Sequence, residues 1–117
     1  MSVAIRAQFE PVRRILFSDI SDVYALIGTQ FAHPARMVIL QNFTDVTLSF
    51  SDDGVNDQLD MAPGVSMVID LASNKTIPQG FFLETTTKIY VRECHITAVA
   101  ASSGFVSLTV IYGTTGL

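Results

Sequence analysis

Hydrophobic and polar residues alternate with a period of two along most of this chain. That period places successive side chains on opposite faces of an extended strand, with one face turned toward a core. The alternating segments are VTLSFS at 46–51, QLDMA at 58–62, VSMVIDL at 65–71, TKIYVRE at 87–93 and GFVSLTVIY at 104–112. Each segment is predicted to form a strand. The last one is apolar on parts of both faces, which indicates a central strand or one that faces a neighbouring subunit.

The first third of the chain alternates less regularly but also favours strands. Segments 12–17 and 22–28 are predicted strands, and the apolar run at about residues 36–43 suits a strand buried on both sides. The residues before Pro11 are predicted to form an extended arm or an edge strand, because proline cannot donate a hydrogen bond to a sheet ladder. One helical turn is expected within SDISDVYALIG, with Ser18 or Ser21 as its N-cap.

Turn-forming residues separate the predicted strands. Gly, Pro, Asn, Asp and Ser collect in SDIS, AHPA, NFTD, DDGVN, APG, SNKTIPQG and ASSG. Their spacing of roughly 8 to 12 residues is typical of an all-β sandwich or barrel. We therefore predict one all-β domain over residues 1–117, a two-sheet antiparallel β-sandwich that is jelly-roll-like and has about eight strands. Residues 1–11 are the candidate for an extended N-terminal arm.

The composition indicates apolar surface that a partner covers. Hydrophobic residues make up 49% of the 117 residues and charged residues 15%, well below the usual quarter, and unbalanced apolar surface commonly marks an interaction site. A net charge of −4 with dispersed basic residues argues against a nucleic-acid partner. Neither a signal-peptide pattern nor an apolar run long enough to span a membrane is present in the sequence. We expect assembly in a cytoplasm without a membrane partner.

The most acidic stretch, DDGVND at 52–57, is the main candidate for a metal site. An EF-hand loop needs oxygen ligands at alternate positions, a glycine at the sixth position and a glutamate at the twelfth. Here Val55 lies where a ligand would help, and no glutamate follows at the right distance. Asp53-Gly54 is instead a strong hairpin signal, because glycine adopts positive φ without steric strain. We interpret the stretch as a hairpin turn and predict no metal and no cofactor.

Histidine and cysteine residues give no catalytic pattern. His33, His95 and Cys94 do not supply the three or four closely spaced ligands of a zinc site. Cys94 and His95 are neighbours, so on a strand their side chains point to opposite faces and are poorly placed for proton transfer. The sequence contains neither a GxSxG nucleophile elbow nor a glycine-rich phosphate loop. We predict that the protein is not an enzyme.

Two long segments resemble small structural proteins of tailed bacteriophages. These are VILQNFTDVTLSFSDDG at 38–54 and VSMVIDLASNKTIPQGFFLETTTKIYVR at 65–92. The resemblance lies in a strand that ends in N-x-T, an FSDDG hairpin, a hydrophobic-D-hydrophobic strand, a Gly-Phe-Phe turn, a T-x-hydrophobic-Tyr-Val strand and a closing strand that ends in Tyr-Gly. The matching positions are Asn42–Asp45, Phe50–Gly54, Ile69–Leu71, Gly80–Leu83, Ile89–Val91 and Val106–Gly113, and together the likeness spans residues 24–113.

The resemblance implies a non-enzymatic component of a phage virion. The first hypothesis is a capsid decoration or cement protein, and the alternative is a head–tail or tail accessory protein. The implied partners are copies of the chain itself in a homo-oligomer, for which a trimer is one form, and the major capsid protein or other virion proteins. A glycan- or receptor-binding sandwich is a further alternative, which the absence of Trp and the presence of only three Tyr disfavour.

Five residues are predicted partner contacts: Phe9, Arg13, Arg14, Phe81 and Phe82. The first three flank the N-terminal arm, and the two phenylalanines follow Gly80. Each also has an ordinary interpretation, since exposed arginines are usually solvated and one of two adjacent strand phenylalanines faces inward.

Overall fold

The computed structural model describes residues 5–71 and 83–115. Its strands are β1 (Ile5–Phe9), β2 (Arg13–Leu16), β3 (Ala25–Leu26), β4 (Ala35–Asn42), β5 (Leu48–Ser51), β6 (Leu59–Met61), β7 (Ser66–Asp70), β8 (Tyr90–Glu93) and β9 (Phe105–Thr115). A 3-10 turn at Phe17–Asp19 joins β2 to β3. In this part of the chain no helix has the length and hydrophobicity that a membrane span requires.

The strands form two antiparallel sheets. Sheet one has the order β1-β9-β4-β7, with β2 also paired to β9, and sheet two has the order β3-β8-β5-β6. Strands β2 and β1 lie end to end along β9, because β2 pairs with residues 105–108 and β1 with residues 111–115. The order β2-β9-β4-β7 in one sheet and β3-β8-β5-β6 in the other is that of a jelly roll. The prediction of an all-β, two-sheet antiparallel sandwich is confirmed.

The observed strands follow the predicted ones with two differences. Segment 22–28 contributes only Ala25–Leu26, which pair with Val91 and Tyr90, and Gly28 just beyond them has a φ of 66° that extended strands do not adopt. The segment before Pro11 supplies a ninth strand, β1, which settles the choice between arm and edge strand in favour of a paired edge strand for residues 5–9.

The helical turn forms, but without the predicted cap. It begins after Leu16 and has no side-chain cap, and Ser18 lies inside it. Ser21 lies beyond the turn, where its hydroxyl accepts a hydrogen bond from the Val23 amide at 3.2 Å. A three-residue turn leaves few amide donors to cap, since its closing bond runs from the Ile20 amide to the Phe17 carbonyl.

Alternating side chains from the two sheets fill the core. The fully buried set includes Val38, Leu40, Val106, Leu108 and Val110 from sheet one and Leu48, Phe50, Met61 and Val91 from sheet two. Phe31 and Ile27, from the chain between β3 and β4, are also buried. This interior fixes which face of each strand points outward.

Candidate functional site

The outward face of sheet one carries apolar side chains across several strands. Strand register places directly opposed residues on the same face, and Val38, Leu40, Leu108 and Val110 point inward. The outward positions therefore form four rows. They are Phe9–Ile111–Met37–Asp70, Thr109–Ile39–Val68, Arg14–Ser107–Gln41–Ser66, and Leu16–Phe105 with Phe43 beside it. We call this set of residues the sheet-one face.

Much of the sheet-one face is exposed to solvent. Phe9 is 66% exposed and Val68 57%, and Met37, Ile39 and Ile111 are partly exposed. A hydrogen bond of 3.3 Å from Gln41 Nε2 to Ser66 Oγ confirms that the third row lies on one side of the sheet. Apart from that polar row, which includes Arg14, and from Asp70 at the end of the first row, hydrophobic residues dominate a face that in a solvated sandwich is expected to be polar.

The outward face of sheet two has the opposite character. Ser49 donates a hydrogen bond of 2.6 Å to Asp60 across two neighbouring strands, and Arg92 lies beside Ser49 in register. The loop at 52–58 folds back over this face, where Asp57 accepts a hydrogen bond of 3.0 Å from Arg92 Nε. Sheet two is thus polar outside and partly covered by its own loop, whereas no loop contact of this kind is found on sheet one within residues 5–71 and 83–115.

Tyr24 completes the contact between that loop and sheet two. Its hydroxyl donates a hydrogen bond to Asp57, and the Arg92 guanidinium lies 4.4 Å from the centre of its ring. Burial of the phenol and this hydrogen bond to a carboxylate raise the pKa of Tyr24 to about 12. The protonated Tyr24 phenol therefore stabilises the folded state. This stabilisation is present below the ordinary tyrosine pKa of 10.0 and is lost as pH rises through about 12.

An ultraviolet absorbance titration is expected to show this late tyrosine. One phenol should ionise near pH 12, and the transition should vanish in Tyr24→Phe and move to lower pH in Asp57→Asn. Tyr90→Phe serves as the matched control and should leave the late transition in place. Persistence of the transition in Tyr24→Phe would contradict the assignment.

The DDGVND stretch forms the predicted hairpin between β5 and β6. Gly54 has a φ of 72°, as the Asp-Gly signal requires. The carboxylate of Asp53 accepts hydrogen bonds from Ser51 Oγ at 2.6 Å and from the Val55 and Asn56 amides at 2.8 and 2.9 Å. These bonds, that from Ser51 first, hold the pKa of Asp53 far below its usual range. Asp53 is therefore occupied as a turn-stabilising acceptor.

Calcium is expected not to bind this loop in the micromolar range. Calorimetric titration of the wild type should show no such binding, because turn donors already occupy the oxygens of Asp53. Asp53→Ala should instead lower the melting temperature by a few degrees through loss of the turn, and Asp52→Ala should change it less. Micromolar calcium binding that Asp53→Ala abolishes would overturn this interpretation.

A buried ion cluster lies where the chain passes from β1 to β2. The carboxylate of Glu10 accepts a hydrogen bond from Arg13 Nη2 at 2.7 Å and from the Ala32 amide at 3.1 Å, and it lies 2.8 Å from His33 Nδ1. Burial alone would raise the pKa of Glu10, but these hydrogen bonds outweigh it and hold the pKa below the ordinary 4.5. Glu10 is thus a buried anion at neutral pH.

Arg13 ties this cluster to the chain that follows β3. Its Nε and Nη2 donate to the carbonyls of Thr29 and Gln30, each at 2.8 Å, and the guanidinium lies 5.4 Å from the centre of the Phe31 ring. Its Nη1 is buried and has no hydrogen-bond partner in the part of the chain that the structure describes. Arg13 is therefore buried rather than solvated, because Glu10 compensates its charge within the domain.

A cleft of about 450 Å³ adjoins this cluster, within the size range of small-molecule sites. Phe9 and Val12 line it together with His33 and Tyr112, whose rings stack with centroids 3.7 Å apart. Throughout 5–71 and 83–115, no three His, Cys, Asp or Glu side chains lie close enough to hold a metal ion. Flat side chains line the cleft, and the charges of the adjacent Glu10–Arg13 ion pair neutralise each other. The cleft therefore suits an uncharged ring.

The five predicted contact residues have different surroundings. Phe9 and Arg14 are exposed on the sheet-one face, whereas Arg13 is buried. Phe81 and Phe82 lie outside the described residues. The most informative residue that the sequence pattern missed is Glu10, whose only sequence signal is its position three residues before Arg13 around Pro11.

Cys94 and His95 lie in different surroundings. The Cys94 side chain is buried, and a hydrogen bond from the Thr97 backbone lowers its pKa. The His95 ring is exposed, with Nε2 3.4 Å from the carbonyl oxygen of Asp22. The two side chains thus have separate environments.

Comparisons with known proteins give no family assignment. No family model matches the chain, and neither a curated protein nor a solved structure matches it.

Proposed function

We propose that this protein is a non-enzymatic structural subunit of a tailed-phage virion, acting as a capsid decoration or cement protein. One observation carries the proposal, namely the contrast between the apolar sheet-one face and the polar, self-covered outer face of sheet two. A protein that functions as a monomer in water is not expected to keep one outer face of its sandwich hydrophobic. A subunit that is held between other proteins needs such a face.

The energy available from this face is adequate for assembly. Full burial of one large apolar side chain contributes about 1.5 to 3 kcal/mol, and Phe9, Val68 and Leu16 are each more than half exposed. Because only the exposed fraction of each side chain is newly buried, these three with the partly exposed Met37 and Ile39 contribute about 3 to 7 kcal/mol. That total overlaps the lower part of the roughly 4 to 15 kcal/mol that association costs in lost rigid-body freedom. Repetition of the contact over a shell adds avidity beyond a single interface.

The far end of β9 supplies a second feature that suits assembly. Strand β4 pairs with β9 only up to Tyr112, while β1 continues pairing from Ile111 to Thr115. The last part of β9 and the start of β1 therefore form a two-stranded ribbon, in a molecule that measures 55 × 25 × 22 Å. A ribbon of this kind presents backbone donors and acceptors to which a partner strand can pair.

Co-sedimentation with capsids tests the proposed function. Purified capsids of the phage that encodes the chain are mixed with the protein, and the pellet is assayed for saturable binding. The wild type should bind with a fixed number of copies per capsid, and Phe9→Ser should bind less. Val55→Ser, which alters an exposed residue of the β5–β6 loop, is the matched control. A wild type that binds neither these capsids nor the connector and tail of the same phage would contradict the proposal.

Glycan binding is the second candidate, and the cleft beside His33 and Tyr112 favours it. Sugar rings pack against flat side-chain faces, and jelly rolls include lectins. A glycan array probed with the wild type and Tyr112→Ala would support this function through a signal that the substitution removes. If no glycan on the array binds, glycan binding is refuted and the assembly function remains as the proposal.

A further inference from the structure

We infer that the sheet-one face binds the same face of a second copy of this chain, forming a two-fold dimer in which two five-stranded sheets pack against each other. The inference deepens the proposed function and rests on it, since it names the first partner of the face that carries that proposal. The area, charge pattern and shape of the sheet-one face indicate that its partner is a second copy of the chain.

The area of the face matches what a specific dimer needs. Strand β4 has 8 residues and spans about 27 Å at roughly 3.4 Å per residue, and the four strand positions of the sheet span about 19 Å at roughly 4.8 Å each. The projected area is about 500 Å², and the accessible area of a side-chain surface exceeds its projection. Specific interfaces bury roughly 600 to 1,000 Å² per partner, so one copy of this face suffices for each side.

The charge pattern favours a second copy over an unrelated partner. The chain carries a net charge of −4, so two copies repel each other unless their contact avoids acidic residues. The central rows of the face hold Thr109, Ile39 and Val68, with Ile111 and Met37 beside them, and none of these is charged. Self-contact through this face therefore brings no like charges together at its centre.

The two charged residues of the rows, Arg14 and Asp70, lie on opposite edge strands and across one diagonal of the face. Arg14 is on β2 at the end of the third row, and Asp70 is on β7 at the other end of the first row. A two-fold axis that lies in the plane of contact along the other diagonal brings Arg14 of one copy opposite Asp70 of the other. The same contact then occurs twice, as an isologous interface requires.

The shape of the face also suits a copy of itself. Sheets that pack face to face lie about 10 Å apart, with their strands either roughly aligned or crossing near 90°. Because the diagonal axis lies at about 45° to the strands, the two copies take the second arrangement. Sheet two, with its polar surface, then faces outward on both sides. The two ribbons of β1 and β9 stay at the rim, where virion proteins can reach them.

Sedimentation velocity over a concentration series tests this inference. The wild type should shift with concentration from the 12.7 kDa of one chain to twice that mass. Val68→Asp places a charge in the central row and should weaken the dimer by about tenfold or more. Val55→Asp introduces the same charge at a residue that is 72% exposed but lies on the β5–β6 loop, and it should leave the dimer unchanged. Thermal melts verify that both variants stay folded.

A charge exchange tests the two-fold geometry. Arg14→Asp should weaken the dimer by a few-fold, and the addition of Asp70→Arg in the same chain should restore it in part. A wild type that stays monomeric, a trimeric mass, or equal dissociation constants for the Val68 and Val55 variants would overturn the inference. A monomer that still co-sediments with capsids refutes the dimer alone, and a dimer that binds no virion part refutes the proposed function alone.

Discussion

The Glu10→Gln variant is expected to lose about 3 to 5 kcal/mol of unfolding free energy. Removing one member of a buried ion pair leaves an uncompensated charge in the interior, and losses of this size follow. Here the stranded group is Arg13, whose side chain is 8% exposed and whose Nη1 already has no partner among the described residues. The amide of glutamine preserves the shape of the side chain, so the loss reports charge rather than a cavity.

Urea unfolding followed by circular dichroism measures this effect. The matched control is Glu84→Gln, which changes an exposed carboxylate and should stay within about 0.5 kcal/mol of the wild type. If the two variants unfold at the same urea concentration, the ion cluster contributes nothing to the fold.

The pH dependence of stability should carry the same signature. The pKa of Glu10 is lower in the folded state than its ordinary 4.5, so folding favours the ionised form. The stabilisation is present above about pH 4.5 and is lost as pH falls through the folded pKa. Glu10→Gln should therefore flatten the acid limb of a plot of unfolding free energy against pH, and the Glu84→Gln plot should keep it.

The Asn42→Ala variant is expected to lose about 3 kcal/mol. Asn42 is fully buried at the end of β4, and its Nδ2 donates to the carbonyls of Val46 and Met61, each at 3.0 Å. Its Oδ1 accepts from the Thr44 amide at 3.0 Å and from the Thr44 hydroxyl at 2.6 Å. Each buried polar group left without a partner costs about 1 to 3 kcal/mol, and alanine leaves more than one.

Asn56→Ala is the matched control for Asn42→Ala. Asn56 is exposed on the β5–β6 loop, where its Nδ2 donates to Asp53 at 2.9 Å. Its loss should stay below about 1 kcal/mol, because water replaces an exposed hydrogen bond. Equal losses in the two asparagine variants, measured by the same urea titration, would show that the buried network is not what stabilises these turns.

The N-x-T motif acquires a physical meaning from these contacts. From the sequence alone, Asn42 and Thr44 contribute only to the resemblance to phage structural proteins that we predict. In the fold they join the turn after β4 to the chain that follows β6. Such a network supports any jelly roll with these turns, so it explains the motif without assigning a virion.

Local patterns predicted the strands because the alternation of apolar and polar residues shows directly which face of a strand is buried. The apolar residues on both faces of β9 gave the most useful functional signal, since Phe105 and Ile111 point outward while Val106 and Val110 point inward. Which strands pair with each other was not predictable from local patterns. Ile5 pairs with Thr115, a contact between the two ends of the chain that no local pattern encodes.

The candidate sites were harder to predict for the same reason. Glu10 meets His33 only because the β1–β2 connection lies against the chain that follows β3, and an isolated glutamate carries no sign of that partner. Arg13 shows the converse, since a charged residue beside Arg14 reads as solvent-exposed until its buried counter-ion is known. Long-range contacts therefore decided which charged residues form the interior and which form the surface.

Maleimide labelling of single cysteines tests most directly whether a second copy covers the sheet-one face. In a Cys94→Ser background, Val68→Cys places the thiol on this face, and Val55→Cys places it on the β5–β6 loop. Packing of two copies through the sheet-one face predicts that Val68→Cys reacts slowly in concentrated solution and faster on dilution, while Val55→Cys reacts at one rate throughout. Equal, concentration-independent rates at both positions would contradict it.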